Sequence, residues 1–406
     1  MKILLLSQYF WPESFRINEL IDGLSEINCE VTVITGQPNY PEGAIFKGYK
    51  IFSFKNELHN GYQIIRVPMI PRGKVSGIQL AINYISFVCS ASIFAPWMLR
   101  NEKFDAIFVY APSPILQVIP AIILKKLRKV PLITWVGDLW PQSLSSTGFI
   151  TNQLLLKQIE RLVSFIYKNN NLILVQSRPF IEPVKKISGN VPVEYFPNPG
   201  ERIFDKKYNI NYNPTIYKLR DGFNVVFAGN LGSVQSLEMI VEAAQILRNE
   251  KQITIYLFGS GSMVQTIMEQ INQMKLTNII LPGRYSPNEM PNIFRQADVL
   301  LVSLVRDFTM DMTVPAKIQS YMACGKPIIA ALDGEGAKIV LEAGAGVASP
   351  AEDAMSLAAN IIYLKDLTKE QLNKMGQDGY KYYQRNFELQ KLCKIFVERV
   401  KVLKYS

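Results

Sequence analysis

The chain has 406 residues, long enough for two domains of ordinary size, and its 48% hydrophobic content without biased tracts excludes a disordered or fibrous protein. Four cysteines, Cys29, Cys89, Cys324 and Cys393, stand far apart with no CxxC pair, which argues against a disulfide framework or a zinc site and favours a reducing cytoplasm. The net charge is +10, and between Leu58 and Gly137 nine basic residues face only Glu102 and Asp105. No nucleic-acid motif accompanies that charge, so nucleic acid is not an expected partner.

MKILLL is too short an apolar run for a signal peptide and passes straight into SQYFWPE, so it predicts a first buried strand. Apolar strands alternate with amphipathic helices through the first half: Ile3–Leu6, Val31–Thr35, Ile64–Val67, Ala106–Tyr110, Leu132–Val136, Leu172–Gln176 and Val193–Phe196. Such alternation predicts an α/β domain with a parallel, doubly wound sheet. Within it, Ile78–Met98 carries no charge, and Gln79, Asn83, Ser86 and Ser90 mark a narrow polar stripe on an apolar helix. About 20 such residues are long enough to span a bilayer. The strands on either side belong to one sheet, however, which disfavours a span. Two readings remain: a helix buried between sheet and neighbours, or an apolar surface that dips into an anionic leaflet beside the basic run Lys125, Lys126, Arg128 and Lys129.

After a polar stretch around Pro197–Gly222 the pattern restarts at about Phe223 with NVVFAG, ITIYLFG, NIILPG, VLLVSL and PIIAAL, a second sheet. We place the domains at 1–200 and 201–381, with a charged helical segment, Lys369–Lys404, whose end from about 382 to 406 returns to the first domain. Ligands of such folds bind at the carboxyl ends of the strands, where a cleft between the domains is expected.

Candidate site residues follow from that placement. Glu13 and Arg16 lie just after the first strand, a base or positioning group and a phosphate contact. Asp138 follows strand Leu132–Val136, where a carboxylate can accept a sugar hydroxyl or take a proton; capping the next helix is the alternative. In the second half, the turn FAGNLGSVQSLE brings Asn230, Gly232 and Gln235, and FGSGSM brings Gly259 and Gly261. LPGRYS brings Arg284, Tyr285 and Ser286. In TVPAKIQSYMACGKPIIA, Thr313 is expected to cap a helix whose first turn holds Val314, Pro315, Ala316 and Lys317. That helix start, with the Lys317 cation beside its unpaired amides, reads as a diphosphate site. Glu335 is expected in a loop after the next strand, facing donor hydroxyls. Glu342 reads as a helix residue, and His59 as a surface loop residue.

MACGKPIIA resembles the nucleotide-sugar half of family-four glycosyltransferases of the GT-B fold, and DLWP at 138–141, QYFWPE and QPNYPEG resemble a subgroup similar to the WbuB-type N-acetylfucosamine transferases of bacterial surface polysaccharide biosynthesis. The family's two glutamates are replaced here by Met312 and Ser320, the latter kept as an expected donor contact, and its Arg and Lys in the first turn of the second domain by Asn230 and Gln235. The resemblance implies two Rossmann-like domains facing a cleft, a UDP-sugar donor as substrate, no cofactor and no metal. It further implies a polyprenyl-diphosphate-linked saccharide acceptor, retention at the sugar carbon, and an enzyme at the inner face of the cell membrane, in O-antigen or capsule assembly. Two competitors stand beside it. A UDP-sugar epimerase on the same fold would convert donor without acceptor, and a non-catalytic scaffold subunit would bind donor without turnover.

Overall fold

Apolar runs bounded by polar turns become the strands of two sheets in the structure, a computed structural model that describes residues 1–73, 77–146, 150, 152–207 and 217–405. Each sheet belongs to its own unit. One unit comprises Met1–Pro199 together with the chain from Leu389 onward, and the other comprises Gly200–Glu388.

The first unit holds β1 (Lys2–Leu6), β2 (Glu30–Thr35), β3 (Lys55–His59), β4 (Tyr62–Arg66), β5 (Ala106–Ala111), β6 (Leu132–Val136), β7 (Leu172–Val175) and β8 (Val193–Tyr195), in the order β3-β4-β2-β1-β5-β6-β7-β8. All neighbours are parallel except β3 and β4. Strands buried on both faces read as continuous apolar runs, which is why β1, β5 and β6 stand out in the sequence. β3 does not: its residues, Lys-Asn-Glu-Leu-His, alternate half-buried and exposed at the sheet edge. It pairs with β4 across Asn60 (φ 45°) and Gly61 (φ 85°), the two-residue hairpin turn that needs positive φ at both positions. His59 therefore ends a strand, its ring stacked on Trp11 at 4.1 Å, instead of lying in a loop. Helix Arg16–Glu26 buries Ile17, Leu20, Ile21 and Leu24 against the same core as Leu392, Phe396 and Val400 of the terminal helix.

The second unit holds β9 (Phe223–Asn230), β10 (Ile253–Ser260), β11 (Ile279–Gly283), β12 (Val299–Ser303), β13 (Ile328–Ala331) and β14 (Gly346–Ser349), all parallel, in the order β11-β10-β9-β12-β13-β14. Numbered within the unit this is 3-2-1-4-5-6, the doubly wound order whose switch point falls between β9 and β12. Two glycines with positive φ, Gly229 and Gly259, sit side by side in the β9–β10 pair. A Cβ on Gly259 would stand 1.8 Å from the Gly229 carbonyl oxygen, so only glycine lets these strand ends approach.

The charged C-terminal segment is two helices, Lys369–Asn386 and Leu389–Tyr405. A capping box opens the first, with Thr368 accepting from Gln371 N–H and Gln371 accepting from Thr368 N–H. Return to the first unit begins at Leu389, later than the expected 382.

Candidate active site

At the switch point of the second unit three segments converge. Ser303, ending β12, donates its hydroxyl to the Gln235 carbonyl at 2.6 Å, and Val305 N–H bonds Val234 O at 3.0 Å, so the turn after β9 is clamped to β12. Helix Ala316–Cys324 is fastened to β9 by Tyr321, whose hydroxyl accepts from Ala228 N–H at 3.2 Å. Lys317 is thereby carried across the end of β9. Its ammonium donates to Gln235 Oε1 and lies 3.7 Å from the Phe227 ring centre. A Cβ on Gly229 would fall 2.7 Å from Lys317 Cε, so this glycine leaves the space through which the lysine stem passes. Asn230, exposed at the strand end, borders Gly232 and Gly261.

Lys317 is thus bound by a neutral amide, and burial pushes its amine down to about 7. A buried amine without a carboxylate partner lacks compensation that a phosphate would supply. The helix it sits on begins at Ala316 with Pro315 as N-cap, and no side chain caps it, leaving first-turn amides for a ligand. This corrects the expectation for Thr313, whose hydroxyl instead donates to Thr309 O at 2.8 Å. Val314 is buried, and Pro315 and Ala316 half-buried, at the same edge. Glu335 lies inside helix Gly334–Glu342, not in a loop, and is 5% exposed. Its helix start adjoins that of Ala316–Cys324, since a Cβ on Gly336 would lie 3.1 Å from Pro315 Cδ.

Two other expectations change. Ser320 is buried and its hydroxyl turns back to Ala316 O at 3.3 Å, so it serves its own helix and not a donor. Ser286, a candidate site residue, has its N–H taken by Glu289 Oε2 at 2.7 Å, so that amide is not left for a ligand. Arg284 is exposed beside it, and the Tyr285 ring packs edge-on against Phe258 and Tyr217.

The carboxyl edge of the first unit is built differently. Asp138 follows β6 and Gly137; Ser143 donates to its Oδ2 at 3.0 Å, and burial raises its carboxyl above the usual range. Around it stand residues that the sequence did not single out. The Arg72 guanidinium lies 5.0 Å from the Tyr40 ring centre, and burial raises the Tyr84 hydroxyl above its usual range, with the charges of Arg72 and Asp138 as smaller influences. Tyr40 in turn packs against Tyr9 and Phe15. An aromatic wall with a carboxylate and a cation fits a saccharide hydroxyl-and-face surface. Asp138, through DLWP, and the loops SQYFWPE and QPNYPEG carried a sequence signal; Tyr84 and Arg72 were not singled out.

Glu13, expected to face the cleft as a base or positioning group, is buried. It is 2% exposed, accepts from Asn39 N–H (2.8 Å), Tyr40 N–H (2.7 Å) and Phe10 N–H (3.2 Å), and burial outweighs these bonds to push its carboxyl up to about 7. Its place is to join the two loops. Arg16 opens the next helix near Tyr110, whose hydroxyl its charge influences.

The basic run also divides. Lys125 donates to Asn169 O at 2.7 Å and burial lowers its amine, while Arg128 donates to Arg100 O and Pro96 O. Lys126 and Lys129 are exposed. Helix Gly77–Met98 turns its polar stripe inward: Asn83 is fully buried, accepts from Gln8 Nε2 (2.8 Å) and Tyr9 OH (3.1 Å), and donates to Ile70 O (2.6 Å). The reading of this helix as wholly buried is therefore wrong; its apolar side points outward.

Residues 222–366 match the family model described as "Glycosyl transferases group 1". The probable glycosyltransferase WbjE of Pseudomonas aeruginosa is 25% identical over 74% of this chain and 75% of its own length. The putative colanic acid biosynthesis glycosyl transferase WcaI of Escherichia coli K12 is 23% identical over 80% and 82%. HepE of Anabaena, solved in complex with UDP, superposes with a TM-score of 0.71 at 13% identity, covering 99% of this chain and all of that one. The fold is GT-B, and the matched segment with both relatives supports one assignment for the chain: a glycosyltransferase.

Proposed function

We propose that this protein transfers a sugar from a UDP donor to a saccharide carried on a polyprenyl diphosphate, in assembly of a bacterial surface polysaccharide such as O-antigen or capsule. The observation that carries the reading is Lys317, a half-buried residue whose desolvated amine is paired, among the described residues, with an amide and no carboxylate, set at an uncapped helix start on the switch point of the second sheet. That combination suits a diphosphate, whose charge the ammonium and helix amides would stabilise as it leaves. HepE, solved with UDP on the same fold, and WcaI, named for colanic acid, support donor class and pathway class respectively.

On the acceptor side Asp138 holds the attacking hydroxyl, with Tyr84, Tyr40 and Arg72 shaping the surface around it. Transfer proceeds with retention and without a metal, the leaving diphosphate and the incoming hydroxyl sharing one face of the sugar. DLWP points to an N-acetylated deoxyhexose, N-acetylfucosamine or a close relative, as the transferred sugar. The enzyme works in the cytoplasm, peripherally attached to the inner face of the cell membrane, where its acceptor resides.

The test is a screen of UDP-sugars against a lipid-linked N-acetylglucosamine acceptor, read by mass. Acceptor gaining one sugar with release of UDP supports the reading. Conversion of the UDP-sugar without acceptor would make it an epimerase, and donor binding without any turnover a scaffold.

A further inference from the structure

The outer side of helix Gly77–Met98 is an uninterrupted apolar stripe. Ile78, Ile82, Ile85, Ile93 and Trp97 are 76%, 43%, 55%, 65% and 63% exposed, with Cys89 exposed between them. Over 22 residues this stripe runs along a helix of about 33 Å at 1.5 Å per residue. A soluble protein's helix normally shows the opposite arrangement, polar side out. The patch extends past the helix, since the Phe54 ring packs edge-on against Phe94 at 4.8 Å and Phe52 is 82% exposed.

The rim of this patch is basic. Arg100 lies 5.1 Å from the Trp97 ring centre at the helix end, Arg128 bonds the carbonyls of Pro96 and Arg100, and Lys126 and Leu127 are exposed on the neighbouring helix Ile119–Arg128, as is Lys129 just after it. The two acids of the region are already neutralised: Glu102 pairs with Lys2 at 2.7 Å, and Asp105 with Lys404 at 2.6 Å. An apolar stripe ending in Trp and bordered by Lys and Arg matches an anionic lipid surface, with rings and aliphatic chains at the acyl boundary and cations at the headgroups. A transmembrane course does not fit, because β4 and β5 on either side of the helix lie in one sheet and Asn83 is hydrogen-bonded inside the fold.

We propose that helix Gly77–Met98 lies flat on an anionic bilayer and that its inner face forms part of the acceptor site. Asn83 ties this helix to Gln8 and Tyr9 of the loop after β1, so the acceptor edge stands about one helix diameter, ~10 Å, from the lipid. This rests on the lipid-linked acceptor proposed above and says how such an acceptor reaches Asp138.

The experiment is flotation of the full chain with phosphatidylcholine vesicles, with and without phosphatidylglycerol, beside the triple variant Ile82→Gln, Ile85→Gln, Ile93→Gln. Trp97 quenching by brominated lipid reports depth, with Trp97→Phe as control. We expect binding only to the anionic vesicles, quenching of Trp97, and a loss of binding of at least tenfold in the variant at unchanged thermal midpoint. Binding that the variant retains, or a concentration-dependent dimer of the wild type that the variant dissolves, overturns the proposal. Transfer to a short-chain, water-soluble acceptor separates the two claims: activity in the variant with vesicle binding lost supports docking, whereas a wild type inactive on this acceptor in the presence of every UDP-sugar, yet bound to vesicles, overturns the transferase reading alone.

Discussion

The two carboxyl edges solve different problems with different chemistry. In the second unit, glycine turns, an uncapped helix start and one half-buried lysine stand together, the group we propose binds an anion. In the first, a half-buried carboxylate, aromatic rings and Arg72 offer side chains of fixed direction. A diphosphate is recognised by charge that any polar backbone can supply, while a saccharide needs particular side chains at particular angles. The difference teaches where each kind of substitution should act: on donor affinity at one edge, on turnover at the other.

The largest expected effect is on turnover. Asp138→Asn keeps the shape and the Ser143 bond but removes the basic oxygen, so kcat should fall by about 100-fold or more with donor affinity unchanged, measured by steady-state kinetics and UDP titration. Equal loss of donor affinity would break the division between the edges. Lys317→Ala should weaken UDP binding about 30-fold, some 2 kcal/mol, by calorimetry, and leave the thermal midpoint unchanged or raised because a buried amine is removed.

Glu13 tests whether the first edge is organised by its loops. Glu13→Ala strands three amide donors, and should cost about 2 kcal/mol of stability in denaturant melts of the whole protein. Glu13→Gln, which keeps the acceptor oxygen, should cost less.

The smallest effect is on pH. The free Lys317 amine titrates at about 7, below its unfolded value, so the unfolded chain binds more protons between about 7 and 10.5 and this residue's contribution to stability rises with pH across that window. A bound diphosphate holds the amine protonated, so UDP binding takes up a proton above pH 7. Affinity should then fall severalfold from about pH 7 toward 9, by less than the Lys317→Ala loss, and calorimetry in buffers of different ionisation heat should register the proton. Lys317→Ala should flatten that slope.

The donor edge was legible because its signals are local: helix start, lysine and glycine turns sit within short runs such as VPAK and FAGN. Even there, tertiary packing decided details, for the sequence offered Thr313 as cap and Ser320 as a contact, and the fold turned Thr313 back onto Thr309 and Ser320 onto its own helix. β3 hid behind an alternating polar edge, although Asn60-Gly61 was a sufficient hairpin signal. β14, only four residues long, had no pattern to show. The acceptor edge was least legible, since Tyr84, Arg72, Tyr40 and Asp138 come from four separate segments that only the sheet order brings together. Helix Gly77–Met98 misled through its composition: an apolar run reads as core, and only the inward bonds of Asn83 show which side faces the sheet.

The central claim, that the second unit's switch point is where a UDP donor binds, is tested most directly by hydrogen–deuterium exchange with and without UDP. Protection is expected at 229–235, 259–263 and 314–318 in the wild type, sharply reduced in Lys317→Ala, with none at 137–145. Protection confined to 137–145, or the same protection in the variant, would contradict it.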